Sequence, residues 1–341
     1  MNSPDKILSI VVPTYNMEEY LCDCLDSVTR ADVPSSLDLI LVNDGSTDSS
    51  FDIMQKYQKK RPDIITIIDK SNGHYGSCIN AGLNIAKGKY FRPLDADDWF
   101  NTDALIKLIN KLEHSEADLI ITPRTEITDK KRVLSLDIEE NRLYEVNSLR
   151  KKEFSNVEGI LSMHSMTYKL SLLKNIPLVL TEGICYTDTE YCLIPLQYTK
   201  NFIFFNLELY QYRLGRVGQS IEGEQYEKNR HHLAKVLNSI LGKIHFSSNS
   251  IEYKRVLSLA TLYYSMVLFN IISNNIDKKD IQLLNSALIK EQPNLWKEIN
   301  KTLYFFPFIS NITGTNFNFY CRLKKTFARK HYLIRSPQND A

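Results

Sequence analysis

No two of the six cysteines are spaced as a CxxC pair, and no GxGxxG follows the first strand-like run. The first absence argues against a zinc site or a disulfide framework and fits a reducing compartment. The second excludes a dinucleotide fold of the usual kind, in which a glycine turn cradles a pyrophosphate. The N-terminus has no cationic stretch followed by a hydrophobic one, so it does not read as a signal peptide. One uncharged run, Val256 to Ile272, contains Ser258, Thr261, Tyr263, Tyr264, Ser265 and Asn270. It is short for a membrane span and reads as a buried helix. Charge of one sign is also missing in bulk. A net charge of +2 predicts no general attraction to nucleic acid.

What is present is an ordered alternation. Ile7-Leu8-Ser9-Ile10-Val11-Val12 is an apolar run of the kind found in a strand covered on both faces. Helical spacing follows over residues 17–30, with Tyr20, Leu21, Cys24, Leu25 and Val28. Strands are expected at 37–42, 64–68, 90–94 and 118–122, and helices at 48–60, 76–87 and 102–114. Short links between them predict right-handed crossovers and a mostly parallel α/β sheet flanked by helices. In such sheets ligands bind at the carboxyl ends of the strands. Residues 124–156 lose the rhythm and read as an excursion at the sheet edge. Beyond about residue 225 the spacing is helical only, as at Leu233, Val236, Leu237, Ile240 and Leu241. Two domains are expected, an α/β domain over 1–224 and a helical C-terminal domain over 225–341.

The strand ends carry the polar residues. The first ends in Pro13-Thr14-Tyr15-Asn16, and the second in Asn43-Asp44-Gly45-Ser46-Thr47-Asp48. The third leads to Asn72-Gly73-His74-Tyr75-Gly76-Ser77, and the fourth to Asp95-Ala96-Asp97-Asp98. Three carboxylates within four residues repel one another. Either a hard divalent cation sits among them, keeping positions open for substrate phosphates, or they start a helix whose dipole favours acids. Asp44 accepts from a nucleobase or is only a turn residue.

In this order and at these separations, Val11–Asn16, Val42–Asp48 and Leu94–Asp98 resemble an inverting glycosyltransferase of family 2 with the GT-A fold. The resemblance covers residues 7 to about 221. It implies a nucleobase pocket at Pro13, Thr14 and Tyr15, with Asn16 adjoining, and a hydrogen bond from the base, normally uracil, to Asp44. It implies donor contacts at Gly73, Asn80 and Ala96. Asp95 and Asp97 become the DxD element, with Asp97 the surest ligand of Mn²⁺ or Mg²⁺. Asp98 assists there or caps the next helix. One departure stands out, because Ile79 occupies the position where relatives carry an arginine. His74 or Arg216 is the substitute to look for.

An inverting transfer needs a carboxylate to take the acceptor proton. Relatives place an acidic pair after the DxD element, and the matching stretch here is Glu182 to Tyr191. Asp188 is the expected catalytic base and Glu190 its rival. Tyr212 to Ser220 resembles a segment that closes over the donor, with Arg213, Arg216, Gln219 and Ser220 as phosphate donors. His164 is a contact for acceptor or metal, or a structural residue. The stretch between Glu298 and Asp340 is basic and aromatic, without an acidic residue. It suits an anionic membrane surface or a helix packed on the core. The expected function is metal-dependent transfer of a sugar from a nucleotide-sugar, UDP-linked, to a glycan or lipid-linked acceptor in cell-surface polysaccharide synthesis. The expected location is cytoplasmic or peripheral on the cytoplasmic face, with no nucleic-acid partner. Two other readings compete: a phosphatase of the haloacid dehalogenase type, whose DxD lies on its first strand, and a degenerate transferase acting as a scaffold.

Overall fold

Strand β1 (Leu8–Thr14) and strand β2 (Leu37–Asp44) pair in parallel, and all but one of their residues are buried. They are apolar on both faces because helices cover both faces. The computed structural model describes residues 6–150, 161–216, 219, 229–244, 252–261 and 278–302. Around these strands lie β3 (Ile65–Lys70) and β4 (Tyr90–Pro93), parallel to them in the order β3-β2-β1-β4. Helices α1 (Leu21–Thr29), α2 (Ser50–Lys60) and α3 (His74–Ile85) make the crossovers. A Cβ on Gly82 would lie 2.4 Å from Val11, so α3 rests directly on β1 and only glycine permits that approach. The amino ends of the strands are tied by a buried network. Asp38 accepts from Ser9 Oγ at 2.6 Å and from the Lys87 N–H at 3.0 Å.

The expected strand at 118–122 is present as β6 (Leu119–Ile121), but it does not sit beside β4. Strand β10 (Met166–Lys169) lies between them, antiparallel to both. β11 (Asn201–Phe204) then pairs parallel to β6, and β9 (Leu143–Glu145) closes the edge of an eight-stranded sheet. The excursion expected at 124–156 is thus partly an edge strand. Its other part, β7 (Arg124–Ile127) and β8 (Lys131–Leu134), joins a second sheet in the order β5-β12-β7-β8. There β5 (Trp99–Phe100) follows the acidic cluster at once and pairs antiparallel with β12 (Tyr210–Arg213). This small sheet brings the segment after residue 212 back over the acidic cluster.

Helix α4 (Thr102–Glu113) is capped by Asn101, whose Oδ1 accepts from the Ala104 N–H at 3.1 Å. Asp98 is therefore not the helix cap. Helix α5 (Leu170–Asn175) precedes α6 (Asp188–Leu193), against which α7 (Arg230–Lys243) packs. Helical residues 252–261, Lys278–Glu291 and Pro293–Thr302 follow, as the apolar spacing predicts. The expected boundary at 224/225, Ser220, the basic aromatic tail and residues 262–272 of the uncharged run lie outside the described residues. Among those described, no helix is long and apolar enough to cross a membrane.

Candidate active site

The carboxyl ends of β1 to β4 open into one cavity of about 420 Å³. Parallel strands make this convergence inevitable, because their ends and the loops after them share one edge. Pro13, Thr14, Tyr15, Asp44 and Asn72 line one part of it. The Tyr15 side is open, with the residue 47% exposed, so its ring is free to stack. Asp44 is buried. Its Oδ1 accepts from Lys70 Nζ at 2.5 Å and from the Gly73 N–H at 2.9 Å. Lys70 Nζ also donates to Ser77 Oγ at 2.8 Å, which pins the ion pair to α3. No sequence signal marks Lys70, since a lysine at a strand end is ordinary. Asn16 and Gly73 are not among the lining residues. Asn16, at φ +53°, accepts from the Thr47 N–H through Oδ1 at 2.8 Å and so fastens the first loop to the second.

The third region contributes His74, Tyr75 and Cys78 to the wall. Ile79 is fully buried in the core, so the position of the missing arginine does not face the cavity. Asn80 also lies away from it. Its Nδ2 donates to Leu180 O at 2.9 Å and its Oδ1 accepts from Leu180 N–H at 2.9 Å, a clamp across the chain. A Cβ on Gly76 would lie 2.2 Å from Thr181 O, so the same segment presses on the first turn of α3.

Asp95, Ala96 and Asp97 line the centre of the cavity. Asp98 is buried and committed. Its Oδ2 accepts from Tyr210 Oη at 2.7 Å and its Oδ1 from the Arg213 N–H at 2.8 Å, which sews β12 to the cluster. Asp97 Oδ2 receives Arg216 Nε at 2.9 Å. The carboxyl of Asp95 is pushed up to about 8, first by burial and then by Asp97. His164 Nε2 lies 3.7 Å from Asp95 Oδ2, and its Nδ1 is buried with no hydrogen-bond partner among the described residues. Its ring stacks on Tyr212 at 4.3 Å, and burial lowers its pKa to about 3, so it is neutral. Ligand atoms of Asp95, Asp98 and His164 lie within 4.8 Å of one another. Carboxylate oxygens held apart from bulk water, with a neutral imidazole beside them, fit a divalent cation. Beneath them Arg92 is fully buried. It donates through Nη2 to His164 O at 2.7 Å and through Nη1 to Thr167 Oγ1 at 3.2 Å, fixing the segment that carries His164.

Asp188 enters the cavity from the N-terminus of α6, together with Cys185 and Tyr186. Burial raises its pKa, with a smaller opposing effect of His164 and a further rise from Asp95. Glu190, two residues on, is fully buried and does not line the cavity. It accepts from Thr181 N–H at 2.6 Å, from Thr181 Oγ1 at 2.9 Å and from Ser239 Oγ, with Lys243 Nζ at 3.6 Å. Glu190 therefore joins α6 to α7.

Of the closing segment, Tyr212, Arg216 and Gln219 line the cavity. Arg213 does not. Its guanidinium lies over Trp99 at 4.8 Å and bonds Asp23 at 3.0 Å and Asp97 O at 3.0 Å. Gln219 braces its own loop, accepting from Gly215 and Arg216 N–H at 3.0 and 3.2 Å and donating to Arg213 O at 2.6 Å. Met17, Asn72, Tyr75, Cys78, Met163, Cys185 and Tyr186 complete the wall without having been singled out as site residues by the sequence. Apart from Asn72, these are apolar and aromatic types that pattern alone does not distinguish from core residues.

Residues 9–176 match the model of glycosyl transferase family 2. The chain is 36% identical over 116 residues to the poly(ribitol-phosphate) beta-glucosyltransferase of Bacillus spizizenii, a stretch that is 33% of this chain and 18% of that protein. The chain spans 33% or less of the length of the first three curated relatives it matches. In three dimensions it is similar to S. aureus TarS 1–349 in complex with UDP-GlcNAc, with a TM-score of 0.68 at 17% identity, covering 95% of this chain and 92% of that one. It is also similar to the mannosyltransferase PcManGT of Pyrobaculum calidifontis in complex with GDP-Man and Mn²⁺, with a TM-score of 0.51 at 13% identity, covering 91% and 88%. The fold is thus GT-A-like, and through residues 9–176 the chain belongs to glycosyl transferase family 2.

Proposed function

We propose that the chain is an inverting glycosyltransferase of cell-surface polysaccharide synthesis. It moves a sugar from a UDP-linked donor to a hydroxyl of a glycan or lipid-linked acceptor at the cytoplasmic face of a membrane. The observation that carries this reading is the convergence of Asp44, Asp95, Asp97 and Asp188 on one cavity. Tyr15 stacks on the base and Asp44, oriented by Lys70, accepts from it. Asp97 and Asp95, with His164 beside them, would hold a divalent cation, which when bound would supply charge neutralisation for the leaving diphosphate. Arg216 leaves Asp97 and pairs with phosphate oxygens. Asp188 takes the acceptor proton, the freed oxygen attacks the anomeric carbon from the far face, and the bond to the diphosphate oxygen breaks. The raised pKa of Asp188 makes it a stronger base than an ordinary aspartate.

A phosphatase of the haloacid dehalogenase type needs its nucleophilic acid at the end of the first strand, where this chain has Pro13-Thr14-Tyr15. A degenerate scaffold has no need of four carboxylates at one open cavity. Donor binding tests the proposal. UDP should bind at least about tenfold more tightly with Mn²⁺ or Mg²⁺ than in EDTA, by titration calorimetry, because the ion links carboxylate to diphosphate. Failure of UDP, GDP and CDP all to bind would contradict it.

A further inference from the structure

Three histidines gather where α3 and α7 begin, and one of them lines the cavity. His74, the first residue of α3, lines the cavity itself. His231 and His232 lie in the first turn of α7. The His232 ring is 6.2 Å from that of His74 and 4.1 Å from that of His231, centroid to centroid. Its Nδ1 accepts from the Cys185 N–H at 3.3 Å, three residues before Asp188. That bond sets the tautomer of the neutral ring, leaving the proton on Nε2 as a donor.

Lys235 of α7 and the His231 and His74 rings are the neighbours that act on His232. Burial and these neighbours lower its pKa to about 4. Imidazole N–H donors and a lysine ammonium gathered beside a substrate cavity suit an anion. Helices α3 and α7 both begin here, and among the described residues neither N-cap, Gly73 or Asn229, makes a side-chain cap bond, so both dipoles add to the same preference.

We infer that His74, His231, His232 and Lys235 form a subsite for a phosphate group of the acceptor, which it holds while the acceptor hydroxyl lies at Asp188. The inference rests on the assignment of Asp188 as the base and names the acceptor as phosphate-bearing. The donor diphosphate is assigned to Arg216 and to the cation at Asp97, neither of which belongs to this histidine group.

The test uses the full chain saturated with UDP and Mg²⁺, so that the donor site is filled. Imidazole Cε1–H resonances are followed by NMR while glycerol 3-phosphate, a short-chain prenyl diphosphate or glycerol is added, with exposed His114 as the reference. Resonances of His74, His231 and His232 are expected to move with a phosphate compound and not with glycerol. Tighter binding of glycerol 3-phosphate points to a polyol-phosphate acceptor, and tighter binding of the prenyl diphosphate to a lipid-linked one. His231→Gln and Lys235→Gln should each weaken phosphate binding by about tenfold, as expected for a lost charge-assisted hydrogen bond, with UDP affinity kept as evidence of a folded site. The inference is overturned if neither phosphate moves these resonances, if glycerol moves them equally, or if both single variants bind phosphate as before. Should UDP itself fail to bind, the donor assignment falls, and the phosphate titration still reads on the free protein.

Discussion

Asp188→Asn is expected to slow sugar transfer by about 10²–10⁴-fold with little change in UDP affinity. The amide keeps the size of the carboxylate but cannot accept a proton at neutral pH. Asp188 lies at the cavity, and its burial raises the pKa, so the rate of the unaltered protein should fall as pH drops through that raised value. Glu190→Gln should behave in the opposite way. Glu190 is buried among Thr181, Ser239 and Lys243, and losing its charge should cost about 2–4 kcal/mol of stability in urea unfolding, with turnover of the folded protein near normal. Initial rates of UDP release with acceptor present, measured beside unfolding curves, separate the two roles. A Glu190→Gln protein that is stable and dead, beside an active Asp188→Asn, would move the base to Glu190.

Asp97→Ala should remove metal-dependent UDP binding and lower turnover on the order of 10³-fold, because charge on the departing diphosphate then goes unneutralised. The same substitution removes the carboxylate that Arg216 bonds at 2.9 Å. Weak, metal-independent UDP binding is expected to remain through Arg216, Tyr15 and Asp44. Arg216→Ala gives the complementary pattern, with metal binding kept and diphosphate affinity reduced. UDP titrations with and without EDTA across the two variants read this directly. Equal metal dependence in Asp97→Ala and the unaltered chain would place the cation elsewhere.

The strands and helices up to residue 122 were legible because each carries its own period and ends on its own turn residues. The line of acids at the strand ends followed from the parallel sheet. What escaped was fixed by partners distant in the chain. Asn80 looked like a donor contact, yet it clamps Leu180, one hundred residues away. Asp98 reads in the sequence as a ligand or a cap; it is not the cap, it holds Tyr210 and Arg213, and it stands with Asp95 and His164 in a group that fits a cation. Glu190 was open as a base until Thr181 and Ser239 were seen to claim its oxygens. Strand β5 has two residues, too few to show any period, although it sets the position of the closing segment. Tertiary pairing of this kind leaves no local signal, because either partner alone is an ordinary polar residue.

The most direct measurement is release of nucleoside diphosphate from a panel of nucleotide-sugars, with Mn²⁺ and then with excess EDTA. Slow release of UDP from at least one UDP-sugar, abolished by EDTA and by Asp97→Ala, is the result expected. No release from any donor, or release that persists unchanged in EDTA, would contradict a metal-dependent transferase at this cavity.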